Sequence, residues 1–101
     1  MMNQFVLVGR IKDTKKGKLK GKDVIQLILA IPKSYKNEDG EYETDFIPII
    51  LSGTVAENTL EYCGKGDIVG IKGSLCTYED SFYAQAERVT FLSSKAKDDK
   101  E

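Results

Sequence analysis

The stretch that most constrains the fold runs from residue 45 to residue 75 and reads DFIPIILSGTVAENTLEYCGKGDIVGIKGSL. Residues 46–51 are apolar and rich in isoleucine, which favours a mostly buried β-strand. Pro48 within them indicates that this strand lies partly at an edge or contains a bulge. Thr54 and Glu57 then have the spacing of a helix-capping box. The sequence therefore predicts a strand followed by a helix that begins at Thr54.

The predicted helix is short and is followed by a second strand. Ala56, Leu60 and Cys63 fall on one apolar stripe, and Gly64 stands where a left-handed residue closes many helices. Residues 67–75, DIVGIKGSL, combine apolar residues with glycines, which allow a strand to bend at the corner of a small barrel. We therefore expect the order strand, helix, strand in this unit.

Two strands precede this unit. Residues 3–11 form the first, and both of its faces begin apolar, which indicates cover on both sides and favours contact with a partner subunit. Residues 23–31, DVIQLILAI, form the second, which Pro32 stops or bends. Asp39 and the glycine after it predict the turn of a β-hairpin, so that strands two and three pair.

One strand follows the unit. Residues 78–83, YEDSFY, predict a short turn rich in aromatic residues, and residues 84–92 predict a fifth strand. We expect one domain over residues 1–93 and a disordered tail over residues 94–101, which has no apolar residue larger than alanine. Five short strands with a helix between the third and fourth predict an all-β, five-stranded Greek-key barrel of the OB fold, whose sheet face and loops commonly bind oligonucleotides.

Charge is distributed unevenly along the chain, although the net charge is only −1. Residues 10–22 carry seven basic side chains against one acidic, a local charge of +6 that leaves −7 for the remainder. A lysine-rich loop, or hairpin-like excursion, on an acidic body suits contact with a polyanion, because phosphate binding depends on the local field. The alternative is a solvated loop whose lysines serve solubility.

Several functional classes lack their usual residues. The chain contains no histidine and only two cysteines, Cys63 and Cys76, which suit reduced, small apolar positions; we therefore expect no metal site and no cofactor. The sequence shows no phosphate-binding glycine loop followed by Lys-Ser or Lys-Thr, and we expect no enzymatic activity. It has no apolar run of membrane-spanning length and no signal-peptide pattern at its start, so we expect a cytoplasmic protein without membrane contact.

The opening NQFVLVGRI, the segment from AIPKSY to IKGSL and the closing VTFL resemble the bacterial single-stranded DNA-binding protein family over about ninety residues. The resemblance implies an OB barrel and a homo-oligomer, a tetramer in preference to a dimer. In that family aromatic residues stack on bases while lysines and arginines follow the phosphates. By position, Tyr35 and Phe46 fall at aromatic sites of the family, and Arg10, Lys33 and the first-loop lysines fall in its basic regions.

The candidate contacts to single-stranded DNA are basic and aromatic residues of the predicted strands and of the loops or hairpins between them. Tyr35 is interpreted as a stacking residue or as cover for the barrel rim, and Phe46 as a stacking or a core residue. At least one aromatic residue of the 78–83 turn is expected to contact a base. The full set is Arg10, Lys12, Lys15, Lys16, Lys18, Lys20, Lys22, Lys33, Tyr35, Phe46, Lys72, Tyr78, Phe82 and Tyr83.

The chain departs from the family pattern in three places. Ser52 stands where the family frequently has an aromatic residue, and residues 36–45 carry five acidic side chains against Lys36 alone, which would repel phosphates. The tail lacks an acidic and hydrophobic tip, so recruitment of partners through it is not expected. A short, specialised member of the family fits these departures. The rival interpretation is an OB-fold adaptor whose acidic hairpin docks a protein of a replication or conjugation complex, with weak nucleic-acid binding.

Overall fold

A computed structural model describes residues 1–94, which form a closed barrel with the strand order β1-β2-β3-β5-β4. Neighbouring strands pair antiparallel except β3 and β5, which are parallel at Ile49–Ala84 and Ile50–Gln85. The predicted five-stranded barrel with one helix between the third and fourth strands is confirmed. The elements are β1 Phe5–Leu19, β2 Lys22–Lys36, β3 Tyr42–Leu51, α1 Gly53–Tyr62, β4 Ile68–Tyr78 and β5 Ser81–Ser93.

The core lies inside the barrel and is built by alternation along the strands. Successive side chains of a strand point to opposite faces, so Leu27 and Leu29 of β2 face inward together with Ile49 and Leu51 of β3. Ile11, Val69 and Ile71 complete the set of large side chains that are essentially fully buried. Burying each such side chain contributes about 1.5 to 3 kcal/mol, which makes this interior the main source of stability.

Two glycines allow the barrel to close. β1 pairs with β4 as far as Arg10 and with β2 from Arg10 onward, so the chain changes partner at Arg10, directly after Gly9. A Cβ atom on Gly9 would come within 2.6 Å of the carbonyl oxygen of Ala30, and one on Gly73 would overlap the Gln85 carbonyl. The register of β4 against β5 shifts between Lys72 and Gly73, at one of the glycines predicted to let this strand bend. Substituting either glycine would therefore force backbone apart.

The start of the helix differs from the prediction. α1 begins at Gly53 with Ser52 as N-cap, and no side chain caps it, so the capping box of Thr54 and Glu57 is wrong. Gly53 has φ of +58°, a left-handed conformation that favours glycine and turns the chain directly from β3 into the helix. The turn is completed at Gly53, so Thr54 lies inside the helix and not at its N-cap.

The end of the helix and its buried face also differ. The C-cap is Cys63 with extended backbone, and the left-handed glycine is Gly66, with φ of +97°, instead of Gly64. The backbone N–H of Gly64 donates to the Asp67 carboxylate at 2.8 Å, so a side chain orders this turn. The predicted apolar stripe is wrong at Leu60, which is 46% exposed, because Thr59 is buried beside Ala56 instead.

The strands are longer than predicted. β1 continues to Leu19 and β2 begins at Lys22, so the basic segment is a β-hairpin and not an irregular loop. This agrees with the hairpin-like excursion that the sequence left open. Pro32 does not stop β2, which continues to Lys36 with an irregular register after Pro32. The pairing of strands two and three is confirmed, and so is the partial edge at Pro48, since β5 joins β3 only from Ile49.

The predicted disordered tail, Ser94 excepted, lies outside the described residues. β5 ends at Ser93, where the sequence places the domain boundary. Within residues 1–94 no helix is long and apolar enough to cross a membrane. Cys63 and Cys76 are free, at half-buried positions. The same residues contain no cluster of three or more acidic or cysteine side chains that could hold a metal ion.

Candidate nucleic-acid interface

The basic arm, residues 10–22, is the first part of the site. It is a twisted β-ribbon in which Lys15 pairs with Gln26 and Lys18 with Asp23. The Lys18 ammonium lies 3.1 Å from the Asp23 carboxylate, but both groups are highly exposed and such a surface pair contributes little. The regular ladder holds the backbone of the arm, and its exposed lysines present their ammonium groups to solvent. The exposed lysines therefore concentrate positive charge on the β1–β2 hairpin.

A bulge directs one lysine of this arm onto an aromatic ring. The register shifts between Ile11 and Asp13, so Lys12 is the extra residue of a β-bulge. Its Nζ lies 4.8 Å from the centre of the Phe46 ring, a cation–π distance. Phe46 is 54% exposed and pairs with Ala30, whose small side chain leaves the ring open on the outer face of the sheet. Phe46 is therefore a surface aromatic residue and not part of the core.

The tip of the basic arm reaches a second aromatic residue. Lys20 and Gly21 connect β1 and β2 and have φ of +54° and +78°, the pattern of a type I′ hairpin turn. The Nζ of Lys20 lies 5.6 Å from the centre of the Tyr78 ring, and Tyr78 ends β4 beside the next hairpin turn. The tips of the β1–β2 and β4–β5 hairpins therefore meet.

Between the β4–β5 hairpin and strands β2 and β3 lies the aromatic groove, a cavity of about 550 Å³. Its floor is the outer face of β2 and β3, where Gln26 pairs with Ile50. Phe82 and Tyr83 of β5 form one wall, and Phe82 is 73% exposed. The remaining lining residues are Phe5, Leu7, Ile47, Pro48, Leu75 and Ala84, which make the groove predominantly apolar. An open apolar groove beside exposed aromatic rings and lysines has the composition of a surface for stacked bases.

Two predicted contact residues lie away from this groove, on the β2–β3 hairpin. The Lys33 ammonium lies 3.1 Å from both carboxylate oxygens of Asp45. This hydrogen bond and the charge of Asp45 raise the pKa of Lys33, and the same contact partly neutralises the lysine. Tyr35 is 65% exposed and follows the irregular register at Pro32. The structure therefore places Lys33 in an ion pair and Tyr35 on the surface of β2 next to the acidic hairpin.

Two further predicted residues are also separated from the groove. The Arg10 guanidinium donates to the carbonyl oxygen of Gly66 at 2.7 Å, which ties this side chain to the turn before β4. Lys72 lies on the outer face of β4, in a row with Val6 of β1 and Arg88 of β5. The sequence placed both residues among the candidate DNA contacts, because it could not show which face of the sheet each strand presents.

The acidic hairpin, residues 36–45, is ordered by its own side chains. The Asn37 side-chain oxygen accepts from the backbone N–H groups of Asp39 and Glu41, both at 2.9 Å, and its side-chain nitrogen donates to Glu43 at 3.2 Å. Gly40 completes the turn with φ of +77°. Four carboxylates therefore cluster at this tip and Asp45 pairs with Lys33, so the hairpin repels an approaching phosphate.

Sequence reasoning missed the floor of the groove. Gln26, Pro48 and Ile50 were assigned to strands without a role, although they alternate with the buried residues Leu27 and Ile49. That alternation is the signal that could have placed them on the outer face. The groove itself depends on how the β4–β5 hairpin folds over this face, which the alternation cannot show.

Fold and site together define an OB-fold barrel with a basic arm and an exposed aromatic groove. The chain belongs to the single-strand binding protein family, whose model matches residues 2–93, and this confirms the resemblance found in the sequence. It is 42% identical over 81 residues to single-stranded DNA-binding protein B of Bacillus subtilis, covering 76% of this chain and 70% of that protein. It is 40% identical to the single-stranded DNA-binding protein of Clostridium tetani over 75% of this chain, but over just 54% of that relative's length.

Solved structures agree with the fold. The small single-stranded DNA-binding protein from Streptomyces coelicolor superimposes with a TM-score of 0.68 at 18% identity, over 91% of this chain and 96% of that one. A deletion mutant of the single-stranded DNA binding protein from Thermus aquaticus gives a TM-score of 0.67 at 20% identity, over 94% and 52%. At these identities the similarity establishes the barrel and its connections alone.

Proposed function

We propose that this protein binds single-stranded DNA without sequence specificity, and so protects or organises exposed strands during replication, recombination or repair in the cytoplasm. The observation that carries the proposal is the contact of the basic arm with the β4–β5 hairpin, whose Phe82 and Tyr83 form a wall of the aromatic groove. Membership of the single-strand binding protein family supports it. The proposed role is binding and not catalysis.

The mechanism divides between charge and stacking. Lysines of the basic arm neutralise phosphates and release counterions, which supplies affinity that falls with added salt. Phe82, Tyr83, Tyr78 and Phe46 offer rings on which successive bases stack, and because every base has a flat face this contact tolerates any sequence. Duplex DNA buries its base faces in its own stack, so the groove selects single strands.

The test is a fluorescence titration of a labelled oligo-dT against duplex of equal length, at two salt concentrations. We expect the single strand to bind more tightly, with an affinity that falls as salt rises. Equal affinity for duplex would contradict the proposal. The rival adaptor function requires the acidic hairpin to be the main binding surface. The contact of the basic arm with the hairpin that walls the groove favours the DNA-binding role over it.

The proposal includes self-association through the outer face of β1. Val6 and Val8 are 63% and 53% exposed there, and a Cβ on Gly70 would lie 3.8 Å from both Val8 and Leu92. An exposed apolar strip of this kind on a strand is suited to a partner subunit. Static light scattering should give a multiple of 11.3 kDa, with a tetramer favoured over a dimer. Val6→Lys combined with Val8→Lys should reduce that mass, and a monomeric parent at micromolar concentration would refute self-association.

The binding domain is proposed to end with β5. The barrel is complete at Ser93, and residues 94–101 carry three lysines against three acidic residues and no aromatic side chain. Deleting residues 94–101 should therefore leave the affinity for oligo-dT nearly unchanged. A large drop in affinity on truncation would show that the tail takes part in binding.

A further inference from the structure

We propose that Lys12 and Lys20 cover two ring faces in the free protein, and that the bound strand exchanges each lysine–ring contact for a base–ring contact. The inference rests on the proposed function, since it takes a single-stranded nucleic acid as the ligand. The ammonium of Lys12 lies 4.8 Å from the centre of the Phe46 ring, and that of Lys20 lies 5.6 Å from the centre of the Tyr78 ring. Both distances are within cation–π range.

Both rings are accessible to solvent. Phe46 is 54% exposed and Tyr78 is 40% exposed, and a lysine ammonium lies over each ring. A base that stacks on a ring takes the same face at van der Waals contact, so an ammonium and a base cannot occupy it together. Binding of a base at either ring therefore requires the lysine to leave.

The backbone places each lysine in an unusual position. Lys12 is the extra residue of the bulge in β1, and bulges redirect side chains next to functional sites. Lys20 has φ of +54°, in a turn position where asparagine, aspartate or glycine is usual. The hairpin turn sets this backbone conformation, and it leaves the Lys20 ammonium over the Tyr78 ring.

The exchange is favourable because stacking of a base on an aromatic ring is stronger than an exposed cation–π contact. The released ammonium groups remain on the basic arm, beside a strand whose phosphates attract them. Each lysine thus shields an apolar ring from water in the free protein and neutralises phosphate in the complex. This makes Lys12 and Lys20 positioning residues that act through Phe46 and Tyr78.

The experiment is NMR of the full chain after reductive methylation of its lysines with ¹³C-formaldehyde, which retains their charge. Aromatic rings shift nearby methyl resonances upfield, so the Lys12 and Lys20 signals should lie upfield of those of Lys15 and Lys16. Lys12→Arg and Lys20→Arg assign the two signals by their disappearance. Phe46→Leu should move the Lys12 signal alone to the exposed position, and Tyr78→Leu the Lys20 signal alone.

Saturation with oligo-dT should move both signals to the position of the exposed lysines. An abasic strand of equal length and charge offers no base to stack, so it should perturb Lys15 and Lys16 while both ring-shifted signals stay upfield. The inference is overturned if either lysine keeps its upfield shift under saturating oligo-dT, or if the abasic strand displaces both lysines equally well. Absence of the upfield shift in the free protein would also overturn it.

Fluorescence anisotropy on the same samples separates this inference from the proposed function. If oligo-dT does not bind, the proposed function fails and the exchange fails with it. If oligo-dT binds while Lys12 and Lys20 remain on their rings, the exchange alone is wrong, and the strand follows the lysine arm or contacts other rings.

Discussion

Two hairpins at opposite ends of β2 carry opposite charge. The basic arm at the start of the strand has a local charge of +6, while the acidic hairpin at its end carries five acidic residues against Lys36. The arm directs lysines to Phe46 and Tyr78 beside the aromatic groove, whereas the acidic hairpin holds its side chains in bonds within its own turn. A net charge of −1 therefore conceals a polarised surface.

The separation of the two hairpins keeps their fields apart. β2 has 15 residues, at about 3.3 Å of rise per residue in a strand. The screening length is about 10 Å at 0.1 M salt, so the acidic tip has little influence at the basic tip. We therefore expect single-stranded DNA to bind at the arm and the groove. The acidic hairpin should repel DNA only in its own vicinity.

The largest effect is expected from the basic arm. Changing Lys15, Lys16, Lys18 and Lys20 together to alanine should flatten the dependence of log affinity on log salt by up to about 0.7 for each phosphate that a lysine no longer neutralises. Affinity for oligo-dT should fall most at low salt. The barrel should remain folded because all four side chains are exposed. The measurement is a titration at several salt concentrations. An unchanged salt slope would mean that the lysines are only solvated.

The next effect is expected from the wall of the groove. Phe82→Leu removes a ring that is 73% exposed, and should cost about 1 to 3 kcal/mol of binding free energy with the salt slope nearly unchanged. Tyr35→Leu, on the acidic side, is the matched control and should cost less. Equilibrium titration of both variants with oligo-dT gives the comparison. A larger decrease for Tyr35→Leu would move the stacking surface to the β2–β3 hairpin.

Neutralising the acidic tip should have a smaller effect. Glu38→Gln, Asp39→Asn and Glu41→Gln remove three charges without touching the Asn37 side chain that orders the turn. At about 0.15 M salt the affinity for oligo-dT should change less than about twofold, because the screening length is about 8 Å. A strong rise in affinity at that salt would show that the acidic hairpin lies on the path of the strand.

The smallest effect concerns the stability of the acidic hairpin. The pKa of Lys33 is raised by its hydrogen bond and ion pair with Asp45, so this pair stabilises the fold fully below the ordinary lysine pKa of about 10.4. That contribution disappears as the pH rises through the raised pKa of Lys33. Urea unfolding of the parent and Asp45→Asn should therefore differ slightly near neutral pH and converge in strong alkali. Divergence with rising pH would contradict this assignment.

The sequence predicted the elements of the barrel well because their signals are local. Isoleucine-rich residues 46–51 and the Asp39 turn depend on neighbours in the chain, and both were placed correctly. The capping box failed because Thr54 and Glu57 satisfy a spacing rule, while Gly53 with its left-handed backbone starts the helix one residue earlier. The length of the first two strands was underestimated, since lysines in a two-stranded ribbon produce no apolar alternation.

The site was predicted in part for a related reason. Residue type identified the lysines and aromatic residues as candidates for nucleic-acid binding. Which of them lie together on one surface depends on the faces of the sheet and the curvature of the hairpins. Lys72 lies on the face of Val6, and Lys33 pairs with Asp45, neither of which residue type alone reveals. The contact of Lys20 with Tyr78 joins two hairpins 58 positions apart in the sequence, and tertiary structure alone brings them together.

Photocrosslinking tests the contrast between the two hairpins most directly. A series of oligo-dT strands carries 5-iododeoxyuridine at successive positions. Each strand is bound to the full protein chain and irradiated, and the crosslinked peptides are identified by mass spectrometry. We expect crosslinks to aromatic residues of the groove and its rim, namely Phe46, Tyr78, Phe82 and Tyr83, and none to Tyr35 or Tyr42. Crosslinks concentrated at Tyr35 and Tyr42 would place the strand on the acidic hairpin and contradict the account.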